Sequence, residues 1–197
     1  MLDRWPWKRR AALSFASNPP ATDKECELST QPISNTASAA APEIGQYWPG
    51  QGGLYAGIVP ANEGHLPRHL IVSVDEVDGV AWGGREESET DARSSHNGST
   101  NTWALMVCGH EHPAAQWAAD YTKDGHADFH LPSRSELQVA AVAMRNEFAP
   151  AWYWSSTQHS WATAWGRSFG DDEARRIVES KDVSGRARAV RTIPLRV

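Results

Sequence analysis

Tryptophan is the residue that most constrains how this chain can fold. Ten of the 197 residues are Trp, whereas Leu, Ile, Val and Phe together number only 32. That share, about 16%, is low enough to mean disorder in a strongly charged chain. The formal charge is only −5, and a hydrophobic fraction of 40% with 15 Gly is ordinary for a globular protein. A fold built around large rings and alanine is therefore expected. The length fits one domain plus an extension, with enough chain for a core that needs no disulfide staples.

The acidic balance argues against nucleic acid as the partner, because affinity for phosphate comes largely from Lys and Arg. The longest basic run, Lys8-Arg9-Arg10, is three residues. No stretch approaches the ~18 apolar residues of a membrane span, so membrane insertion is not expected. The first residues lack a signal peptide's order of charge, apolar run and small-residue cleavage site. Cys26 and Cys108 stand far apart, provide no disulfide framework and are read as two unpaired thiols.

From Ser14 to Glu43, 20 of 30 residues are Ser, Thr, Pro, Ala or Asn. Such a segment buries too little apolar surface to offset its own ordering entropy. Residues 1–44 are thus read as an extended arm or linker tipped by Trp5-Pro6-Trp7, and 45–197 as the folded domain. Within the domain, Leu54–Val59 and His69–Val74 read as a strand pair around Asn62-Glu63-Gly64. Residues 84–101 read as a polar loop. A helical stretch follows from about Asn101 to Tyr121, with a break near Pro113, and its buried side is expected to carry Trp103, Met106, Val107, Ala114, Trp117, Ala118 and Tyr121. Ser133-Arg134-Ser135-Glu136 is a capping box opening a helix from about Arg134 to Asn146. Residues 152–156, 161–169, 174–180 and 186–193 then read as short antiparallel strands separated by turn residues. Two helices among antiparallel strands, with the last strand returning beside the first ones, make an α+β arrangement.

Four stretches, in order and spacing, carry a resemblance: Asp128-Phe129-His130-Leu131-Pro132-Ser133-Arg134-Ser135-Glu136-Leu137, Trp152-Tyr153-Trp154-Ser155-Ser156-Thr157, Ala164-Trp165-Gly166 and Arg186-Ala187-Arg188-Ala189-Val190-Arg191. Together they resemble the Lcl C-terminal domain family, which is grouped with C-type-lectin-like folds alongside the formylglycine-generating enzyme. The likeness covers roughly residues 47–197, and His130 stands where the family more often has Arg. Asn97-Gly98-Ser99-Thr100-Asn101-Thr102 and His112-Pro113-Ala114-Ala115-Gln116-Trp117 look like versions of this domain encoded by tailed bacteriophages. The resemblance implies a C-type-lectin-like α+β domain in a phage virion protein of the tail fibre or baseplate, made in the host cytoplasm. It would bind a host surface receptor or glycan, join other tail proteins through the N-terminal arm, and form a homo-oligomer, a trimer if it sits in a fibre. The alternatives are a bacterial glycan-binding adhesin and an enzyme of the formylglycine-generating type.

The residues refine these expectations. Period-two geometry in the last stretch puts Arg186, Arg188 and Val190 on one face and Ala187, Ala189 and Arg191 on the other. The alanine face can pack closely, and the arginine face is expected to meet solvent. Trp152 and Trp154 share a face opposite Tyr153. Trp154 and Trp165 are read as core, and Trp161 as an exposed loop residue. Loops 157–163 and 167–176 are the expected contact surface, with Gln158, His159, Trp161, Arg167, Asp171, Asp172 and Arg175 as ligand-binding residues.

No catalytic residue, cofactor or metal is expected. Ser155 and Ser156 near His159 supply no orienting third group, and the formylglycine-generating enzyme's late cysteine pair is missing. The Glu-Pro-Asn or Gln-Pro-Asp triplet of calcium-dependent lectins is absent, so Asp171-Asp172-Glu173 reads as a solvated turn. The acidic run Glu86–Asp91 reads as an exposed loop. Cys108, His110, His112, His126 and His130 invite a zinc reading, but structural zinc sites usually pair their ligands at short spacing. On the helix expected here, His110 and His112 would point about 200° apart. They are read as solvated or hydrogen-bonded histidines, with zinc as the alternative.

Overall fold

The computed structural model describes residues 40–62, 64–170 and 175–195. Most of the expected arm, including Cys26 and the Trp-Pro-Trp tip, lies outside the described residues. The architecture is α+β. Three strands come first, β1 (Tyr47–Trp48), β2 (Gly53–Val59) and β3 (Arg68–Val80). Helices α1 (Gly98–Val107), α2 (Pro113–Asp120) and α3 (Arg134–Ala143) follow, then a 3₁₀ turn over Arg145–Glu147. Strands β4 (Trp152–Gln158), β5 (Thr163–Ser168), β6 (Arg175–Ser180) and β7 (Gly185–Pro194) complete the domain. They form one seven-stranded sheet in the order β1-β2-β3-β7-β4-β5-β6. All neighbours are antiparallel except β4 and β7, which meet in parallel where Tyr153 lies opposite Arg186. Strand β7 returns beside β3 and joins the early ladder to the late one. A bulge between Tyr55 and Gly57 bends β2, and Gly57 takes the φ of +100° that this bend requires.

The helical stretch expected over 101–121 is two helices, which makes three α-helices among the described residues. Asn97 caps α1 by accepting the Thr100 N–H, so that helix begins before residue 101. Gly109, at φ +92°, sits in the non-helical link between the two, and Pro113 occupies the first turn of α2. The buried side of α1 also differs from expectation. Trp103 and Val107 face solvent at 67% and 58% exposure, while Asn101, Thr102, Ala104 and Leu105 turn inward. The reason is polar: Asn101 Nδ2 donates to Ser94 O and Ser156 Oγ, and Thr102 Oγ1 accepts the Leu131 N–H. Apolar periodicity does not register such contacts.

The core lies on both faces of the sheet. On one face, Ala114, Ala115 and Ala118 of α2 meet Ala187 and Ala189 of β7, with Trp82, Trp154 and Leu131 filling the space around them. Small side chains let helix and strand approach, as the alanine face of β7 implies. The opposite face carries Leu137, Ala140 and Ala141 of α3 against Leu70, Val72, Tyr153 and Phe169. Trp152 and Trp154 cross edge to face at 4.4 Å on the first side, and Tyr153 lies on the second.

The expectation that the arginine face of β7 meets solvent is overturned. Val190 and Arg188 are buried within the α3-side core. Arg188 donates to Ser73 O at 2.8 Å and to Glu147 O, and its guanidinium covers the Phe148 ring. Arg186 is half-buried and donates to Glu76 and Asp78. On the alanine side, Arg191 is also buried and pairs with Asp128. Backbone acceptors and carboxylates supplied by distant segments make these burials tolerable.

The capping box forms as expected, and its acid does more than cap α3. Glu136 Oε2 accepts the Ser133 N–H at 2.8 Å and the Gly98 N–H at 3.2 Å, so one carboxylate serves the starts of two helices. Oε1 accepts from Arg68 of β3 at 3.0 Å, and His130 Nε2 stands 3.6 Å from Oε2. A Cβ at position 98 would lie 2.4 Å from Oε2, which is why glycine stands there. Burial alone would push this carboxyl up, but His130, the Ser133 N–H and Arg68 more than offset it and hold it at about 2. Folding stability is accordingly expected to fall as pH drops from about 4.5 towards 2, where the unfolded chain takes up this proton first. Glu136→Gln should flatten that window and cost about 3 kcal/mol at neutral pH, since the partly buried Arg68 loses its counter-charge. Urea unfolding of both proteins across the acid range checks this.

Candidate functional site

The β4–β5 hairpin carries most of the residues expected to touch a ligand. Its turn, residues 159–162, is braced from within. The His159 and Ser160 N–H groups both donate to Thr163 O, at 3.1 and 2.9 Å. Ser160 Oγ accepts the N–H groups of Ala162 and Thr163, and His159 Nδ1 meets Thr163 Oγ1 at 2.9 Å. Trp161 projects from this turn with 56% of its surface exposed, as expected. From outside, the Glu86 N–H donates to Trp161 O and the Lys181 N–H to Ala162 O.

Trp165, read from sequence as core, is only half-buried. Arg134 and Arg176 lie over its ring at 4.9 and 5.1 Å, and His159 meets it edge-on at 4.8 Å. Guanidinium groups are drawn to the ring's negative face. The cations over this indole place donors for anionic or hydroxyl groups beside the turn.

The other expected residues separate. Gln158 is buried: its Oε1 accepts from the Glu89 N–H at 2.7 Å and from Lys181 Nζ at 2.8 Å. Arg167 is also buried and donates to Gln138 Oε1. Gln158 is covered by the loop after β3, and Arg167 lies under α3. Arg175 is exposed on β6, and Asp171 and Asp172 lie outside the described residues. Ser155 and Ser156 are buried as well. Ser155 Oγ donates to Trp165 O and Ser156 Oγ accepts from Asn101, while His159 Nδ1 faces Thr163. The structure therefore does not assemble a serine–histidine pair here.

A second cluster joins residues that the sequence keeps apart. After β3 the chain turns through Gly83 and Gly84, and the α1–α2 link passes so close that a Cβ on Gly83 would lie 1.9 Å from Glu111 O. This approach brings Glu89 to Cys108, His110 and His112. One ligand atom from each of the four lies within 4.8 Å of the others. His110 Nδ1 is 2.7 Å and His112 Nε2 3.4 Å from Glu89 Oε1. His112 is buried, its Nδ1–H donates to Trp82 O at 3.0 Å, and its ring meets Trp82 edge-on. Burial pushes His112 below its ordinary value. Burial would raise Glu89, but His110 and His112 hold it below the usual carboxylate range. Two expectations change with this geometry. The 108–112 segment is not helical, so the 200° separation of His110 and His112 does not arise. The Glu86–Asp91 run is not wholly exposed, since Glu89 is buried. His126 and His130 lie elsewhere, on Gly50 O and beside Glu136.

Lys181 ties the two regions together. Its ammonium donates to Gly84 O, Glu87 O and Gln158 Oε1, and it lies 4.6 Å from the centre of the Trp82 ring. Burial pulls its pKa down from 10.5 to about 8. Above about pH 8 the unfolded chain holds this proton more firmly than the folded one, so its contribution to stability should rise with pH up to about 10.5. Lys181→Met should abolish that rise and leave three acceptors unpaired, costing about 3 kcal/mol at pH 7. Denaturant unfolding of both proteins between pH 7 and 10.5 tests the difference.

No protein-family model and no curated protein matches the chain. Among solved structures it is similar to a fimbrial protein from Bacteroides ovatus, with 14% identity over 62% of this chain, 35% of that chain and a TM-score of 0.47.

Proposed function

We propose that the chain is a non-enzymatic protein of a tailed-phage particle, in the tail fibre or baseplate, whose C-type-lectin-like domain docks onto a host surface receptor. The observation that carries this reading is the β4–β5 hairpin. Trp161 stands exposed on a turn braced by hydrogen bonds within it and from Glu86 and Lys181, and the same hairpin holds Trp165 beneath two guanidinium groups. Trp and Arg dominate binding hot spots, and a turn ordered before the encounter loses little entropy on binding. The return of β7 beside β3, the antiparallel β4–β6 ladder and the phage-like stretches around Asn97 and His112 support the lectin-like assignment. The N-terminal arm would attach the domain to other tail proteins, and a fibre would assemble it as a trimer. Among the described residues, the candidate serine nucleophiles are buried and engaged in hydrogen bonds, which favours binding over catalysis.

Gold-labelled antibody is expected to mark the tail of purified particles; label confined to the surface of particle-free bacteria would instead indicate an adhesin. In a binding assay on host cells, Trp161→Ala should weaken attachment more than tenfold, a loss above about 1.4 kcal/mol. Its unfolding midpoint should stay close to wild type, because that ring covers no core. Unchanged attachment would remove Trp161 from the binding surface.

A further inference from the structure

From the second cluster we infer that Glu89, Cys108, His110 and His112 form a structural site for a tetrahedral divalent cation of the zinc class. The decisive atom is His112 Nε2. The ring gives its Nδ1–H to Trp82 O, a group that can only accept, which leaves the Nε2 lone pair directed into the cluster. That nitrogen is buried, makes no hydrogen bond and faces Glu89 Oε1 at 3.4 Å. Two acceptors facing each other in a buried place call for a cation between them. A carbonyl holding the far nitrogen of a histidine is also the usual outer support of a metal ligand.

The rest of the cluster fits the same ion. Thiolate, two imidazoles and a carboxylate are zinc's ligand types, and two anions neutralise its charge. At bond lengths of about 2.0–2.3 Å, ligand atoms in a tetrahedron stand roughly 3.3–3.6 Å apart. The four atoms already lie within 4.8 Å of one another, so small side-chain shifts close the site. Binding would displace the Cys108 thiol proton to solvent. It would also move the His110 proton from Nδ1 to Nε2, which Glu87 Oε2 faces at 3.9 Å. Gly84 leaves the space open, since a Cβ there would lie 2.6 Å from His112 Cε1 and 3.2 Å from Glu89 Oε1. Lys181 directs its three hydrogens at Gly84, Glu87 and Gln158 rather than at the cluster. With four protein ligands the site is closed and structural. It staples the loop after β3 to the α1–α2 link, and that loop braces the Trp161 turn through Glu86 N and the end of β4 through Glu89 N.

The test uses the full chain, reduced and freed of metal with a chelator, in a Cys26→Ser background so that thiolate signals report Cys108. Titration with Co(II) should saturate at one equivalent, with the intense visible bands of tetrahedral Co(II) and a thiolate charge-transfer band. Cys108→Ser should lose the charge-transfer band, His112→Ala should lose saturable binding, and Glu87→Gln should weaken binding about tenfold. His126→Ala should bind as before. Zn(II) should raise the unfolding midpoint of the parent protein. X-ray absorption of the zinc-loaded parent, which requires no ligand variant to fold, should find one sulfur at about 2.3 Å with nitrogen or oxygen neighbours near 2.0 Å. No stoichiometric uptake by the parent, a weak octahedral Co(II) spectrum or a shell without sulfur would overturn the assignment. It stands or falls independently of receptor binding by Trp161.

Discussion

The carboxylate of Glu136 is the interaction on which the arrangement of the domain rests. It accepts from the first N–H groups of α3 and α1, holds Arg68 of β3, and lies beside His130, whose backbone bridges Val190 of β7. Two helix starts, where unpaired N–H groups concentrate positive potential, converge on one buried anion. That convergence sets α1 on one side of the sheet and α3 on the other while both remain attached to the β3–β7 ladder. Ordinary apolar packing alone is a weaker constraint in a chain with so few aliphatic residues.

What the large rings supply is reach. Trp82 is fully buried, yet its Nε1 donates to Ser155 O, its own carbonyl receives His112, and Lys181 covers its face. One residue thus joins the segment after β3, strand β4 and the α1–α2 link. Trp154 does the same work between β4 and Val80 O. A leucine core of equal volume would pack but would not satisfy these buried acceptors. The buried arginines are held separately, by oxygens of distant segments: Ser73 and Glu147 carbonyls for Arg188, Asp128 and Gln51 side chains for Arg191.

Legibility in the sequence followed the range of the interactions. The capping box at Ser133, the β4–β7 strand segments, the opposed faces of Trp152 and Tyr153, and the exposure of Trp161 all arise from contacts within a few residues or from strand alternation. Readings that failed depended on distant partners. Arg188 reads as exposed because the Glu147 carbonyl that receives it lies 41 positions away. The burial of Gln158 is not legible, because nothing nearby in sequence reveals that the Glu89 N–H and Lys181 meet its Oε1. Trp103 read as core because the inward side of α1 is held by Asn101 and Thr102. Glu89 was invisible as a partner for the histidines, and only Cys-x-His-x-His hinted at chemistry there.

By itself, then, the sequence determined an α+β domain, the capped helix, the order of the late strands and a hairpin with an outward tryptophan. These depend on local dihedral preferences, helix capping and side-chain alternation, which act along the chain. Only the tertiary structure decided that Glu136 serves two helices, that the arginine face of β7 is interior, and that Glu89 meets Cys108, His110 and His112. Those outcomes depend on which segments approach in space, through glycines at 83, 84 and 98 that leave room for a facing backbone or side chain. Neither composition nor spacing encodes that proximity, because its cause is the packing of the two layers against one sheet.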